Sequence, residues 1–360
     1  MDPFVSHDYC AGMQFAPGPV FSPAKSHGHR IVSGEEQEDH MRGKCLFVLP
    51  LVGVLTLGRS CDADAQSVFR SRVDMVPLTV TVTDSAGRYV SGLTERDFAV
   101  FEDGVRQSLS FFASERLPVD VALVLDVSAS MSTAMPLVRQ AADGLIRALR
   151  TGDRAAVVAV NTSVGMPQRF TADHERAAAA IAALHCTGST AVYDGVYITL
   201  KEFARERRNR TEVRRQVLVL LSDGLDNASH VSADEMADLA RRVGASIYVV
   251  ALKDPTLQAQ GALPEFEQQR ATYAIRALAQ DAGGRIFFPT ATSELPAVYG
   301  AIARELANQY DLGYVPARPG GDGAFRRIGV RVLPPASGIA RTRSGYQPPR
   351  DQTPRTSNQN

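Results

Sequence analysis

The stretch Val121-Ala122-Leu123-Val124-Leu125-Asp126-Val127-Ser128-Ala129-Ser130-Met131 decides both the fold and the chemistry of this chain. An unbroken apolar run ends in an acid and then, at alternate positions, two hydroxyls: Asp126, Ser128 and Ser130. A continuous hydrophobic strand is what a parallel sheet covered on both faces requires. Open α/β sheets gather their ligands at the carboxyl ends of such strands. Oxygen ligands placed there suit a hard divalent cation such as magnesium.

The pattern on either side agrees. From Val119 to about Pro289 apolar strands alternate with helical stretches. Strands are expected at Val119 to Leu125, Arg154 to Asn161, Gln216 to Leu221, Ser246 to Leu252 and Arg285 to Phe288, with Gln168 to Thr171 pairing back as an edge. Helices are expected at Pro136 to Leu149, Asp173 to Leu184, Ala191 to Arg205, Ala233 to Val243, Pro264 to Ala282 and Glu294 to Gln309, several with apolar residues at helical spacing. This alternation predicts an α/β fold, a doubly wound and mostly parallel central sheet with helices on both faces. Residues 76 to 112 read instead as β-structure, with Asp103-Gly104 as a two-residue hairpin turn. After Tyr310 the β pattern returns at Asp311 to Val315, Phe325 to Leu333 and Ile339 to Arg343. Short strands alone cannot bury a face, so residues 310 to 346 are expected to pack with 76 to 112 as a small flanking β domain. The polar run Gln347 to Asn360 reads as a disordered tail.

The first 65 residues read as a leader. Met41-Arg42-Gly43-Lys44 is basic, Leu46 to Leu57 is apolar, and Ala63-Asp64-Ala65 offers small residues for cleavage just after Ala65. Met41 is the expected start of this segment. The chain is thus expected to be exported, periplasmic or extracellular, with an uncleaved N-terminal membrane anchor or a lipoprotein at Cys61 as alternatives. Cys10, Cys45 and Cys61 leave with the leader, so Cys186 alone remains and no internal disulfide is expected. Across the 360 residues, 39 basic and 39 acidic side chains balance, which argues against a nucleic-acid surface or a polybasic membrane patch.

Three strand–helix junctions carry the same residue types. The first is Asp126, Ser128 and Ser130; the second is Thr187-Gly188-Ser189-Thr190; the third is Leu221-Ser222-Asp223-Gly224-Leu225-Asp226. In a doubly wound sheet these loops converge. Magnesium takes about six oxygens and gives up its waters reluctantly. An ion held by neutral hydroxyls, with carboxylates behind waters, stays under-neutralised and keeps its attraction for one more carboxylate, supplied by a partner.

The Asp-x-Ser-x-Ser run at Asp126, Ser128 and Ser130 resembles the metal-ion-dependent adhesion site of von Willebrand factor type A domains. The resemblance covers about Pro118 to Gln309. It implies Ser128, Ser130 and Thr190 as hydroxyl ligands and Asp126 and Asp223 as acids acting largely through waters, around Mg2+ or, in its place, Mn2+ or Ca2+. It further implies a central sheet with one antiparallel edge strand, and a protein partner offering an Asp or Glu carboxylate. The flanks Asp97 to Gly104, Gln309 to Tyr314 and Arg343 to Tyr346 are similar to exported bacterial proteins of the acidobacterial VWFA-related group. Ser189 stands where the family more often has a second glycine.

Competing readings are bland or catalytic. Ser128 or Thr190 would cap a helix and Asp223 would be a turn acid; Asp194 and Asp226 read as loop-bracing acceptors. An aspartate phosphatase would want a second acid where Ser128 stands, and a cysteine phosphatase would want Arg at Val192. No Gly-x-Ser-x-Gly elbow or phosphate-cradling loop occurs, and the histidines beyond the leader, His174, His185 and His230, have no metal-pair spacing. The expectation is a binding module and not an enzyme. An envelope scaffold in which the metal only stabilises is the alternative, and a metal-dependent hydrolase the third reading.

Overall fold

The computed structural model describes residues 75–113, 116–223, 226–253, 265–318 and 322–348, with no side-chain account of 265–268, 270 and 271. The leader expected at residues 1–65 and nearly all of the expected tail lie outside the described residues. The chain divides into Met1–Val68 and Phe69–Asn360, and every described element belongs to the second unit.

The central sheet is built from β5 (Val119–Asp126), β6 (Arg154–Val160), β7 (Val164–Thr171), β8 (Arg215–Ser222), β9 (Ser246–Ala251) and β10 (Ile286–Phe287). Their order is β10-β9-β8-β5-β6-β7. All neighbours run parallel except β7, which returns antiparallel along β6. All eight residues of β5 are buried because β5 is central and both of its faces are covered. Side chains on a strand alternate between faces. Val119, Val121, Leu123 and Leu125 accordingly join one core with α1 (Met135–Arg147), α2 (His174–Ala182) and the last helix, α6 (Leu295–Ala307). Ala122 and Val124 join the other core, against α3 (Val192–Arg208), α4 (Ala233–Val243) and α5 (Glu265–Asp281). Local chemistry marks the helix ends: Ser232 and Glu235 form a capping box before α4, and Gly244 closes it at φ +72°.

The flanking β-structure comprises β1 (Val76–Thr83), β2 (Phe98–Glu102), β3 (Val105–Gln107), β4 (Leu109–Phe112), β11 (Gln309–Tyr314), β12 (Arg326–Val332), β13 (Ile339–Arg341) and β14 (Gly345–Tyr346). They form two antiparallel sheets, β13-β1-β11-β4 and β14-β12-β2-β3. The two share one core that includes Leu78, Val80, Phe98, Val100, Leu312, Tyr314, Ile328 and Tyr346. The β2–β3 hairpin turns at Asp103 (φ +48°) and Gly104 (φ +83°), the positive pair that a two-residue turn of matching twist requires.

Buried polar contacts tie this layer to the central fold. Arg215 at the foot of β8 donates to the Leu306 carbonyl at 3.2 Å and to Gln309 Oε1 at 2.8 Å. The Tyr248 hydroxyl donates to Glu305 Oε1 at 2.6 Å, and Arg341 of β13 pairs with the same carboxylate. These contacts explain one departure from the sequence reading. The last helix ends at Ala307, and Gln309, expected as its end, opens β11 opposite Thr81. Edge strand β7 begins at Val164, earlier than expected, with an irregular register through Met166 and Pro167, since proline cannot donate to the ladder. The two-residue β14 was not expected at all.

Candidate functional site

β5 delivers Asp126 to its carboxyl end, where the side chain is 0% exposed. Its Oδ1 accepts the Ser128 backbone N–H at 2.9 Å, and its Oδ2 accepts the Ser222 hydroxyl at 2.8 Å. The bond to Ser128 turns the chain, so that Ser128 and Ser130 present their hydroxyls side by side at 3.0 Å. Ser130 then donates to Asp223 Oδ2 at 2.7 Å. One hydrogen-bonded chain therefore joins Asp126, Ser128, Ser130 and Asp223 across the ends of β5 and β8. All except half-buried Ser130 are buried.

Thr190 reaches the same rim through its backbone. Ala129 donates to the Gly188 carbonyl at 3.0 Å, and Thr187 donates to that of Val127 at 2.8 Å, so the loop before α3 lies along the loop after β5. The Thr190 N–H donates to Asn227 Oδ1 at 2.9 Å, while its carbonyl accepts the N–H groups of Asn227 at 3.0 Å and Ala228 at 3.1 Å. No hydrogen bond joins its hydroxyl to the other four residues among those described. Gly188 sits at φ +74°, and a Cβ there would lie 2.4 Å from Thr162 Oγ1, which is engaged by the Ser189 N–H.

The capping alternatives are not what is found. Ser128 flanks the short turn Ala129–Ser132 without a side-chain cap bond. The residue at the N-cap of α3 is Ala191, again with no side-chain cap. Asp226 and Asp194 do brace loops. Asp226 accepts from the N–H of Tyr193 and Ser229 and from the Ser229 hydroxyl. Asp194 accepts from the N–H groups of His230 and Val231; burial pushes its carboxyl up, but these donors outweigh it and hold the group below its ordinary value. Cys186, expected as a buried hydrophobe, is half-buried at the edge of the α1 core.

Electrostatics set Asp126 apart. Burial, and then the nearby Asp223 charge, push its carboxyl up to about 7, against the weaker opposing pull of its hydrogen bonds. Seven other acids are buried, Asp223 of this same site and six elsewhere: Glu102, Asp120, Asp153, Glu202, Glu305 and Asp311. Each of the six has an arginine within 4 Å, namely Arg326, Arg154, Arg116, Arg169, Arg341 and Arg215. Among the described residues Asp126 has only neutral donors. The donor set is oxygen alone, two carboxylates and three hydroxyls, a composition that fits a hard cation and disfavours softer metals. Among the described residues no group of three or more His, Cys, Asp or Glu is placed to hold a metal, here or elsewhere. Sequence reasoning missed Ser222 and Asn227 as parts of this site. Their signals were a hydroxyl next to Asp223 and an amide just after Asp226.

Comparison with known proteins gives the following. The family model described as von Willebrand factor type A domain matches residues 120–301. The search of curated proteins gave no match. Among solved structures, the proximal thread matrix protein 1 of the mussel byssus is similar at 16% identity and TM-score 0.44, over 53% of this chain and 48% of its own, so the chain spans about half its length. A von Willebrand factor type A protein from Catenulispora acidiphila is similar at 15% identity and TM-score 0.44, over 70% of this chain and 72% of its own. The von Willebrand factor domain of the type V pili tip protein Mfa5 from Porphyromonas gingivalis is similar at 15% identity and TM-score 0.43, over 54% of this chain and 96% of its own.

Proposed function

As the chain belongs to the von Willebrand factor type A domain family, we propose that it is an exported protein-binding module that holds a divalent cation, magnesium, at Asp126, Ser128, Ser130, Thr190 and Asp223, and through it captures an acidic side chain of a partner protein. The carrying observation is Asp126: a fully buried carboxylate beside a second carboxylate, held only by neutral donors among the described residues, in a chain that gives six other buried acids an arginine. When bound, the ion supplies the missing positive charge and a coordination place for an outside carboxylate.

The residues divide this work. Ser128, Ser130 and Thr190 offer neutral oxygens, which leave the ion's charge unspent. Asp126 is fixed by the Ser128 N–H and the Ser222 hydroxyl, so its charge stays in one place. Asp223, at the end of β8, brings the second charge to Ser130. Mn2+ and Ca2+ are hard enough to compete. Among the described residues no helix is long and apolar enough to cross a membrane; export rests on the leader read at residues 1–65.

Titration calorimetry with magnesium, on the wild type and on Asp126→Ala, tests the site. The wild type should take up one ion, and the variant should lose about 100-fold or more in affinity for it. Capture of partners with and without EDTA then tests the role. Binding that survives EDTA and Asp126→Ala overturns capture through the ion. If chelation lowers the melting temperature while partner binding persists, the scaffold reading takes its place.

A further inference from the structure

We infer that Asn227 is a positioning residue of the candidate cation site: it sets the Thr190 hydroxyl by clamping the Thr190 backbone on both sides. The inference rests on the proposed reading of the site and extends it to a residue outside the ligand set.

A threonine can offer its hydroxyl to a site only if its backbone is fixed by something else. Most hydroxyl residues just before a helix spend the side chain on the first turn. Thr190 does not, because Ala191 holds the N-cap position before α3 and no side chain caps it. Its backbone is instead satisfied from the loop that follows Asp223. The Asn227 side-chain oxygen takes the Thr190 N–H at 2.9 Å, and the backbone N–H groups of Asn227 and Ala228 take its carbonyl at 3.0 and 3.1 Å. The next peptide is held as well, since the Ala191 N–H donates to the Asn161 carbonyl at 2.9 Å. With both backbone groups engaged, Thr190 is 4% exposed and oriented with its side chain left over.

The clamp also couples two ligand loops. Asn227 lies four positions after Asp223, and Asp226, next to it, accepts the Tyr193 N–H at 2.8 Å in the first turn of α3. Asn227 and Asp226 thus stitch the loop carrying Asp223 to the loop and helix carrying Thr190. A short side chain with an acceptor oxygen meets the requirement. Asparagine does so without adding a third charge beside Asp223 and Asp226. Alanine at this position removes the acceptor and leaves the Thr190 N–H to water.

Outer residues that orient metal ligands are worth about 10–100-fold in affinity when removed. In the full chain, Asn227→Ala should weaken magnesium binding by about 10-fold in calorimetry, while Asn227→Asp, which keeps the acceptor, should bind at least as well as the wild type. The double variant Asn227→Ala/Thr190→Ala should bind no more weakly than Thr190→Ala alone, because the clamp acts through that hydroxyl. Additive losses, or Asn227→Ala binding within twofold of wild type, overturn the inference. A second measurement needs no metal. Exchange of the Thr190 amide hydrogen in EDTA should accelerate at least 10-fold in Asn227→Ala relative to wild type, on the order of one lost hydrogen bond. Unchanged exchange refutes the clamp. A wild-type chain that takes up no magnesium refutes the site reading and leaves the exchange result to decide the clamp.

Discussion

Two buried acid clusters, one at each level of the molecule, are built by opposite rules. In the flanking layer, Glu102 takes the hydroxyls of Tyr314 at 2.7 Å and Tyr346 at 3.0 Å, and the guanidinium of Arg326 at 3.2 Å. Arg326 is itself 0% exposed. The cluster is closed: acid, cation and hydroxyls come from β2, β11, β12 and β14, and burial together with Glu102 pushes the Tyr346 hydroxyl up to about 12. At the head of the central sheet, Asp126 is as deeply buried but meets a second acid and neutral donors. The first cluster carries its own counter-charge. On the proposed reading, the second receives one from solution. The flank motifs Phe-Glu-Asp-Gly, Tyr-Asp-Leu-Gly-Tyr and Ser-Gly-Tyr thereby gain a physical role, since Tyr314, Tyr346 and Arg326 all donate to Glu102.

The sharpest way to break the comparison is to open the closed cluster. Arg326→Met strands the Glu102 charge in the interior, which costs about 3–5 kcal/mol when one partner of a buried pair is lost. Urea denaturation should show that loss with and without magnesium alike. A magnesium-dependent loss would mean the two clusters are not independent.

The next effect concerns pH. Asp126 is raised from 3.8 to about 7 in the folded chain, so the native state holds its proton longer than the unfolded one. Its contribution is complete below about pH 4 and is lost as pH climbs through about 7. The loss amounts to about 1.4 kcal/mol for each pH unit crossed between those values, a few kcal/mol in all. In EDTA, thermal stability of the wild type should decline over that window, and Asp126→Asn should flatten the decline. Magnesium should restore more stability at pH 8 than at pH 5. Equal restoration at both pH values would count against a cation beside Asp126.

Smaller effects follow at the rim. Asp126→Ala should reduce magnesium affinity by about 100-fold or more, at the upper end for groups that orient a metal shell. Ser189→Ala should change it by less than about twofold, since Ser189 is exposed and its N–H, not its hydroxyl, is what Thr162 holds. A large effect of Ser189→Ala would place a further oxygen in the site.

The sequence made the central fold readable because β5, β8 and β9 carry the apolar runs Val121–Leu125, Val217–Leu221 and Ile247–Ala251, separated by helical stretches of which α4 has a legible capping box and closing glycine. Asp126, Ser128 and Ser130 were visible as a local pattern, and Thr190 and Asp223 as matching hydroxyl and acid residues at other junctions. What stayed hidden depends on which loops meet. Ser222 looks like any strand-end serine until β8 is set beside β5. Asn227 looks like a turn residue until its amide oxygen meets a backbone N–H 37 positions away. Gln309 reads as helix by propensity, and only pairing with Thr81 and contact with Arg215 make it strand. Tertiary partners override local preference at such places.

The pairing of β1 with β11 and β13 has a temporal consequence. Leu78 lies opposite Leu312, and Val82 opposite Ala340, so these ladders join segments more than two hundred residues apart. Local elements of the central sheet can assemble while these ladders wait, because contacts between distant segments are slow to close. Until β11 to β13 arrive, β1 has no strand on either side and β2 has only β3. The flanking layer therefore finishes last, and a chain interrupted before Gln309 is left with sticky, unmatched edges that mark it as incomplete.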